Sequence, residues 1–131
     1  MRNKPVLLLA QAERMLKAAR SEATVVTIAV VDDGGHLLAL QRLDAAAPMG
    51  SQVAYHKARS AALGRKDTRV FEDMINDGRH AYLSVPALSA TMTGGFPVRV
   101  SGEIARAIGV SGATPDQDEQ VAWAGLAALG G

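Results

Sequence analysis

The sequence contains no cysteine and few aromatic residues. With no Cys among its 131 residues, the chain has no disulfide, no thiolate nucleophile and no cysteine-ligated metal. One Trp, two Tyr and two Phe leave few rings to stack on a flat ligand. Packing of aliphatic side chains must therefore supply most of the core.

Long hydrophobic runs and an excess of one charge sign are also missing. The longest apolar stretch, residues 25–31, is broken by Thr27 and is far shorter than the roughly 20 residues that cross a bilayer. The run at residues 6–10 is short for a signal peptide and is followed by Glu13 and Arg14. The formal net charge is +1. We therefore expect no membrane segment, no nucleic-acid partner and a cytoplasmic location.

The composition is otherwise that of an ordinary globular protein. Apolar residues make up 48% of the chain and charged residues 21%, and no internal repeat or low-complexity linker is visible. A chain of 131 residues can bury one hydrophobic core. We predict one domain that spans residues 1–131.

The first third of the sequence predicts a helix and a hairpin. Apolar residues at helical spacing predict a helix over residues 5–21, and the β-branched residues 24–32 predict a central strand that is buried on both faces. Residues 33–35, Asp-Gly-Gly, form a turn into a second strand, residues 36–42. Alternation then places four residues of that strand on one face: His36, Leu38, Leu40 and Arg42.

The middle of the sequence predicts two helices and a segment that is hard to interpret. Ser51 is the predicted N-cap of a helix that ends near Gly64, and Asp67 or Thr68 is the cap of a helix that ends near Asn76. The first helix has a small face that permits close contacts: Ala54, Ala58, Ala61 and Ala62. Pro86 excludes a regular helix through residues 79–93, and residues 88–93 are read as extended.

The last third predicts another hairpin and a helix. Residues 96–101 and 104–111 form two strands joined at Gly102, and Thr114 with Gln117 forms a capping box for a helix that reaches residue 129. Strands joined by tight turns indicate an α+β fold with a mainly antiparallel sheet. A Rossmann fold is not expected, because no GxGxxG follows a strand.

Histidines are the first candidates for chemistry. The chain has three, His36, His56 and His80, and their wide separation predicts no metal site. His36 follows the glycine turn and is a candidate ligand or acid–base group, although histidines beside hairpin turns are more often simple polar residues. His56 is equally compatible with a surface role and a functional one. His80 is expected on a loop surface.

Glycines and charged residues supply the other candidates. Gly94 and Gly95 can expose backbone N–H groups to an oxygen atom of a ligand, and residues 109–114 join a strand to a helix N-terminus, where anions bind. Ordinary turns and caps explain the same features. Arg42, Asp44 and Lys57 supply charges for a carboxylate ligand, with surface ion pairs as the competing explanation. No Ser-His-Asp order or GxSxG elbow indicates a hydrolase.

Four segments in order carry a resemblance to a known family: VVDDGGHLLALQRLDAAAPMGS, YHKARSAA, TGGFPV and AIGVSGATPDQDEQVAWAGLAAL. Together they resemble the GlcG/HbpS (DUF336) family over nearly the whole chain. The resemblance implies a profilin-like fold with a mainly antiparallel five-stranded sheet flanked by helices. It also implies assembly into homo-oligomers.

The resemblance makes haem a possible cofactor, because some family members bind it. A histidine of the first helix is expected to ligate haem iron in those relatives, yet residues 5–21 contain no His. Among residues that ligate haem iron, this helix offers only Met15. His36 and His56 are the possible substitutes.

The matching segments also imply a ligand pocket. Arg106, where relatives are smaller or apolar, either alters the charge preference of that pocket or points to solvent. The residues carried over as the pocket are Asp32, Gly34, Gly35, His36, Lys57, Gly94, Gly95, Ser111 and Gly112.

Two functions follow from these observations. The first is a small-molecule-binding domain for haem or a related planar or acidic ligand. The second is a small catabolic enzyme of isomerase, hydrolase or tautomerase type that acts on a carbonyl, imine or hydroxy-acid metabolite. In that case His36 or Lys57 would transfer the proton.

Overall fold

A computed structural model describes residues 9–20 and 25–128. The elements in chain order are the helix α1 (Leu9–Arg20), the strands β1 (Thr27–Asp32) and β2 (Leu37–Arg42), the helices α2 (Gly50–Gly64) and α3 (Thr68–Asn76), a short 3-10 helix (His80–Ser84), the strands β3 (Gly95–Val100) and β4 (Glu103–Ser111), and the helix α4 (Pro115–Ala127). The predicted ends of the first and last helices, residues 5–8, 21 and 129, lie outside the described residues.

The sheet is antiparallel and has the strand order β2-β1-β4-β3. The central pair is in continuous register from Thr27 opposite Ser111 to Asp32 opposite Arg106. This central position explains why β1 is buried on both faces, as its β-branched sequence predicted. The α+β class and the antiparallel sheet are confirmed.

The prediction of five strands is wrong, because the described residues form four. Residues 88–93, read as extended, join no ladder and instead form the loop that leads to β3. Ala90 adopts a positive φ of 49° in this loop, a conformation that interrupts a strand. Pro86, which lacks a backbone N–H, precedes it.

Two hydrophobic clusters cover the two faces of the sheet. One contains α1 and α4 against β1 and β4, with Met15, Ile28, Ile108 and Val121 fully or nearly fully buried. The other is the alanine face of α2, which packs on Ala29, Val31 and Ala107. The small side chains of α2 therefore serve the core of the chain itself. Close approach is extreme at Gly109, where an added Cβ would lie 2.1 Å from the carbonyl oxygen of Ala54.

The helix caps agree with the sequence at one helix start and differ at another. The capping box of α4 is present: the Gln117 N–H donates to Thr114 Oγ1, and the Thr114 N–H donates to Gln117 Oε1, both at 3.2 Å. Ser51 is not the cap of α2, which begins at Gly50 after Met49 without a side-chain cap. The reason is that α2 starts one residue before Ser51, so Ser51 already lies within the helix.

The outer strand β2 departs from simple alternation. A bulge opposite Val30 and Val31 shifts the register, and Leu38 packs with the α1 side while Leu40 packs with the α2 side. The predicted shared face is therefore wrong, because an extra residue in a strand reverses the side on which the following residues lie. Among the described helices, none is long and apolar enough to cross a membrane.

Candidate functional site

A cleft of about 410 Å³ lies where the start of α2, the loop before β3 and the junction of β4 with α4 meet. Its lining is mostly apolar with a few buried charges. The lining residues are Ala47, Met49, Gly50, Val53, Lys57, Glu72, Met92, Thr93, Ser111, Gly112, Ala113, Pro115 and Asp118.

Lys57 is the buried cation of this cleft. It is 3% exposed, and its Nζ donates to the carbonyl oxygen of Val110 at 2.8 Å and to Asp118 Oδ2 at 3.2 Å. Asp118 is also 3% exposed, and its second oxygen accepts from the Ala113 N–H at 2.9 Å. The side chains thus connect α2 to the end of β4 and to the first turn of α4.

Burial lowers the pKa of Lys57 below its ordinary value, because loss of water penalises the ammonium form. The neighbouring Asp118 carboxylate opposes this effect by charge and by its hydrogen bond, and Glu72 opposes it by charge. Desolvation is the larger influence. Lys57 therefore gives up its proton more readily than a lysine in water.

A second carboxylate is fixed on the α3 side of the cleft. Glu72 Oε2 accepts a hydrogen bond from the Thr93 N–H at 3.0 Å and another from the Thr93 hydroxyl. Both residues line the cleft. With Asp118, the lining holds two carboxylates to one ammonium, so its formal charge does not favour a further anion close to Lys57.

Gly94 and Gly95 make room for Lys57. Gly94 has φ of +129°, and an added Cβ would lie 2.6 Å from the Val110 carbonyl oxygen and 3.0 Å from Lys57 Nζ. An added Cβ at Gly95 would lie 2.4 Å from the carbonyl oxygen of Lys57. The paired glycines therefore allow the backbone before β3 to approach α2. Their role here is close packing beside the ammonium group.

The structure brings together some of the residues that the sequence singled out. Lys57, Ser111 and Gly112 line the cleft, and Gly94 and Gly95 lie against Lys57.

The first hairpin lies at the opposite end of the sheet. Along β1, five residue steps separate Thr27, opposite Ser111, from Asp32, a distance of roughly 17 Å at about 3.3 Å per residue. Asp32 Oδ1 accepts from the N–H groups of Gly34 and His36, each at 2.9 Å, and so shapes the turn. The His36 side chain is 83% exposed. Gly35, with φ of +81°, packs near Arg59 of α2.

The remaining charged and histidine candidates lie outside the cleft lining. Arg42 and Asp44 are exposed. His56 Nδ1 lies 2.9 Å from Ser89 Oγ, in a contact that ties the loop before β3 to α2. His80 is exposed at the start of the 3-10 helix. Within the described parts of the chain, no group of three or more His, Asp or Glu side chains is arranged to hold a metal ion.

Arg106 is buried rather than directed to solvent. It is 5% exposed, and its Nε has no hydrogen-bond partner among the described residues. Burial lowers the pKa of Arg106. It pairs in register with Asp32, at the end of β4 away from the cleft, and therefore does not set the charge of the cleft.

Several lining residues were not singled out by the sequence. Asp118 was not a candidate from the sequence, and nothing in the sequence paired Glu72 with Thr93. Met49 and Met92 lie in loops without periodicity. A lysine facing the sheet on an alanine-rich helix is the one signal that a buried acid must be nearby, because a buried ammonium group needs a partner.

Comparison with known proteins identifies the family. Residues 7–127 match the HbpS-like family model, described as haem degrading protein HbpS-like. The chain belongs to the HbpS-like family. It is 47% identical over 115 residues to protein GlcG of Escherichia coli strain K12, with 85% of each chain covered.

Solved structures of similar proteins share the fold of this HbpS-like chain. A double mutant of Streptomyces reticuli HbpS is 32% identical, with a TM-score of 0.91 over all of this chain and 92% of the other. The PduOC:heme complex has a TM-score of 0.83 over 95% of both chains, at 23% identity. The second likeness shows the fold alone.

Proposed function

We propose that this chain is a ligand-binding module that holds haem or a related planar ligand in the cleft between α2, α4 and the loop before β3, on a profilin-like fold. The observation that carries the proposal is the composition of this cleft. Apolar walls surround a buried Lys57–Asp118 pair, and two methionines at the rim are accessible to a ligand.

The apolar part of haem fits this lining. Val53, Ala113 and Pro115 offer apolar surface for the ring. Met49 is 68% exposed and Met92 is 46% exposed, and a methionine thioether is a haem-iron ligand. When bound, haem supplies an iron centre that takes up further ligands and electrons. Met49 and Met92 are the described lining residues that would hold the iron.

The acidic groups of such a ligand face outward in this account. The ammonium group of Lys57 already has Asp118 at 3.2 Å, and Glu72 adds negative charge. Placing another carboxylate among these groups is unfavourable in a poorly hydrated site. The ring therefore occupies the apolar wall, with its carboxylates in water.

The comparisons support haem as the first ligand to test. The family description names a haem degrading protein, and PduOC, which shares the fold, forms a complex with haem. The described lining contains no histidine, so the iron ligand expected here is a methionine.

Haemin titration followed by the Soret band tests the proposal. Met92→Leu and Met49→Leu keep the side-chain volume but remove the sulfur, and Met74→Leu is the matched control on α3, outside the described lining. We expect one of the cleft variants to alter the Soret position while Met74→Leu leaves it unchanged. No Soret shift in the wild type would contradict haem binding. Identical spectra in all four proteins would contradict methionine ligation.

A second candidate function is proton transfer on a carbonyl, imine or hydroxy-acid substrate. The lowered pKa of Lys57 beside a cleft favours it, because a general base works best with a pKa near the working pH. Exchange of the methyl protons of acetone, an uncharged ketone, in D2O, followed by NMR, is the test. We expect the wild type and His36→Ala to accelerate exchange and Lys57→Ala to lose the effect. No acceleration by the wild type would contradict this candidate.

We further propose that the chain forms a homo-oligomer, as its family resemblance implied, and that it is located in the cytoplasm, as its composition predicted. Native mass spectrometry of freshly purified protein measures the subunit count together with any retained ligand. A monomer at micromolar concentration would contradict the oligomer.

A further inference from the structure

The amine of Lys57 is placed for covalent chemistry in addition to proton transfer. Lys57 lines the cleft, and its Nζ donates hydrogen bonds to the Val110 carbonyl oxygen and to Asp118. Gly94 flanks the same atom without a side chain, since a Cβ there would lie 3.0 Å from Nζ. A side chain at position 94 would therefore crowd the nitrogen, which has the Asp118 carboxylate at hydrogen-bond distance.

We propose that Lys57 forms an imine with an uncharged aliphatic aldehyde that enters the cleft. The inference deepens the second proposed function in one respect, since both require a carbonyl compound to reach Lys57. It differs in the chemistry, because here the lysine nitrogen becomes bonded to the substrate carbon.

The step balances with groups that the site contains. The Lys57 ammonium passes one proton to the Asp118 carboxylate, and the freed lone pair forms a C–N bond to the carbonyl carbon. One of the two remaining nitrogen protons moves to the oxygen atom. The proton held by Asp118 then joins the same oxygen, the C–O bond breaks, and water leaves. The product is a protonated imine with one hydrogen on nitrogen.

The residues around Lys57 select the class of carbonyl compound. Asp118 and Glu72 outnumber the single ammonium group, so a carboxylate-bearing aldehyde is repelled near the nitrogen. Val53 and Met92 provide apolar surface for an alkyl chain. A short, uncharged aldehyde satisfies both conditions.

Reductive trapping tests the inference directly. The whole protein is incubated at pH 7 with butanal and sodium cyanoborohydride, which reduces an imine to a stable secondary amine, and the modified lysines are mapped by peptide mass spectrometry. The exposed residues Lys17 and Lys66 are internal controls. We expect Lys57 to be modified at least about tenfold faster than either control, because Asp118 acts as general base and general acid for the reacting amine.

Two further experiments distinguish a reactive lysine from one that is labelled only because it is exposed. Asp118→Asn keeps a side chain of the same shape and removes the proton acceptor, so it should slow labelling of Lys57 relative to Lys66 in the same sample. Glyoxylate, an aldehyde with a carboxylate, should label Lys57 more slowly than butanal does. Labelling confined to Lys17 and Lys66, or equal rates for both aldehydes at Lys57, would overturn the proposal.

The outcomes distinguish a failure of this inference from a failure of the proposed functions. Trapping at Lys57 without acetone exchange would support imine formation and contradict proton transfer. Exchange without trapping would overturn imine formation alone. The haemin titration reports on the ring site and does not enter either comparison.

Discussion

Lys57 Nζ lies 3.2 Å from Asp118 Oδ2, and the two side chains are only 4% and 5% exposed. An ion pair removed from water in this way depends on both partners, because either charge left alone is poorly solvated. The pair links α2, which covers one face of the sheet, to α4, which covers the other.

Removing one partner should be more costly than removing both. Lys57→Met and Asp118→Leu each leave a buried charge unpaired, and each should lower the free energy of unfolding by about 3 to 5 kcal/mol. The double variant should recover a large part of that loss. Urea unfolding of the four proteins measures the coupling. Single-variant losses below about 1 kcal/mol, as for an exposed pair, would contradict this account.

The pKa of Lys57 predicts how stability changes with pH. Its pKa is lowered in the folded chain, so between the folded value and about 10.4 the unfolded chain binds more protons. Stability contributed by this group therefore rises as the pH increases through that window. Urea unfolding between neutral pH and pH 10 should show the wild type gaining stability relative to Lys57→Met. A relative loss would mean that Asp118 raises the pKa more than burial lowers it.

Gly94 offers a test of close packing against Lys57. Gly94→Ala introduces both a strained φ and a Cβ 2.6 Å from the Val110 carbonyl oxygen, whereas Gly78→Ala, at φ of +106°, meets nothing within 4 Å. Backbone strain alone should lower the free energy of unfolding by about 1 to 3 kcal/mol in each variant. The loss of unfolding free energy should be larger for Gly94→Ala than for Gly78→Ala by at least about 1 kcal/mol, because the backbone around residue 94 must also move. Equal losses in thermal or urea unfolding would contradict the packing described.

The caps of α2 and α4 predict different responses to alanine. Thr114→Ala removes the side chain that accepts from the Gln117 N–H and should cost about 1 kcal/mol. Ser51→Ala should cost only a few tenths of a kcal/mol, because Ser51 does not cap α2. The urea concentrations at the unfolding midpoints of the two variants measure this difference. A larger loss of stability for Ser51→Ala than for Thr114→Ala would show that Ser51 caps α2 and would contradict this prediction.

Local sequence signals predicted most of the fold. The β-branched residues of β1, the glycine turn at residues 33–35 and the capping box at Thr114 depend on neighbours within a few positions, and each is present. The prediction of a fifth strand failed because residues 88–93 contain no signal that distinguishes an extended loop from a paired strand. The bulge in β2 was missed for a related reason, since it depends on the partner strand.

The cleft was predictable only in part. The family resemblance predicted Lys57, Gly94 and Ser111 as pocket residues. Asp118 and Glu72 were not predicted, because Asp118 is 61 residues from Lys57 in sequence and Glu72 belongs to another helix. Such pairs are created by folding, so spacing does not reveal them. The same limit explains why the hairpin residues Asp32 and His36 were grouped with Lys57 although they lie at the other end of β1.

The central claim is that the cleft beside Lys57 is the ligand site, and filling it is the most direct test. Val53→Trp places a large ring in the cleft, whereas Val70→Trp adds the same ring at a position that is 40% exposed on α3, outside the described lining. The dissociation constant for haemin should rise at least about tenfold for Val53→Trp, a loss of about 1.4 kcal/mol, and should stay unchanged for Val70→Trp. Equal haemin affinity in the wild type and Val53→Trp would contradict the account.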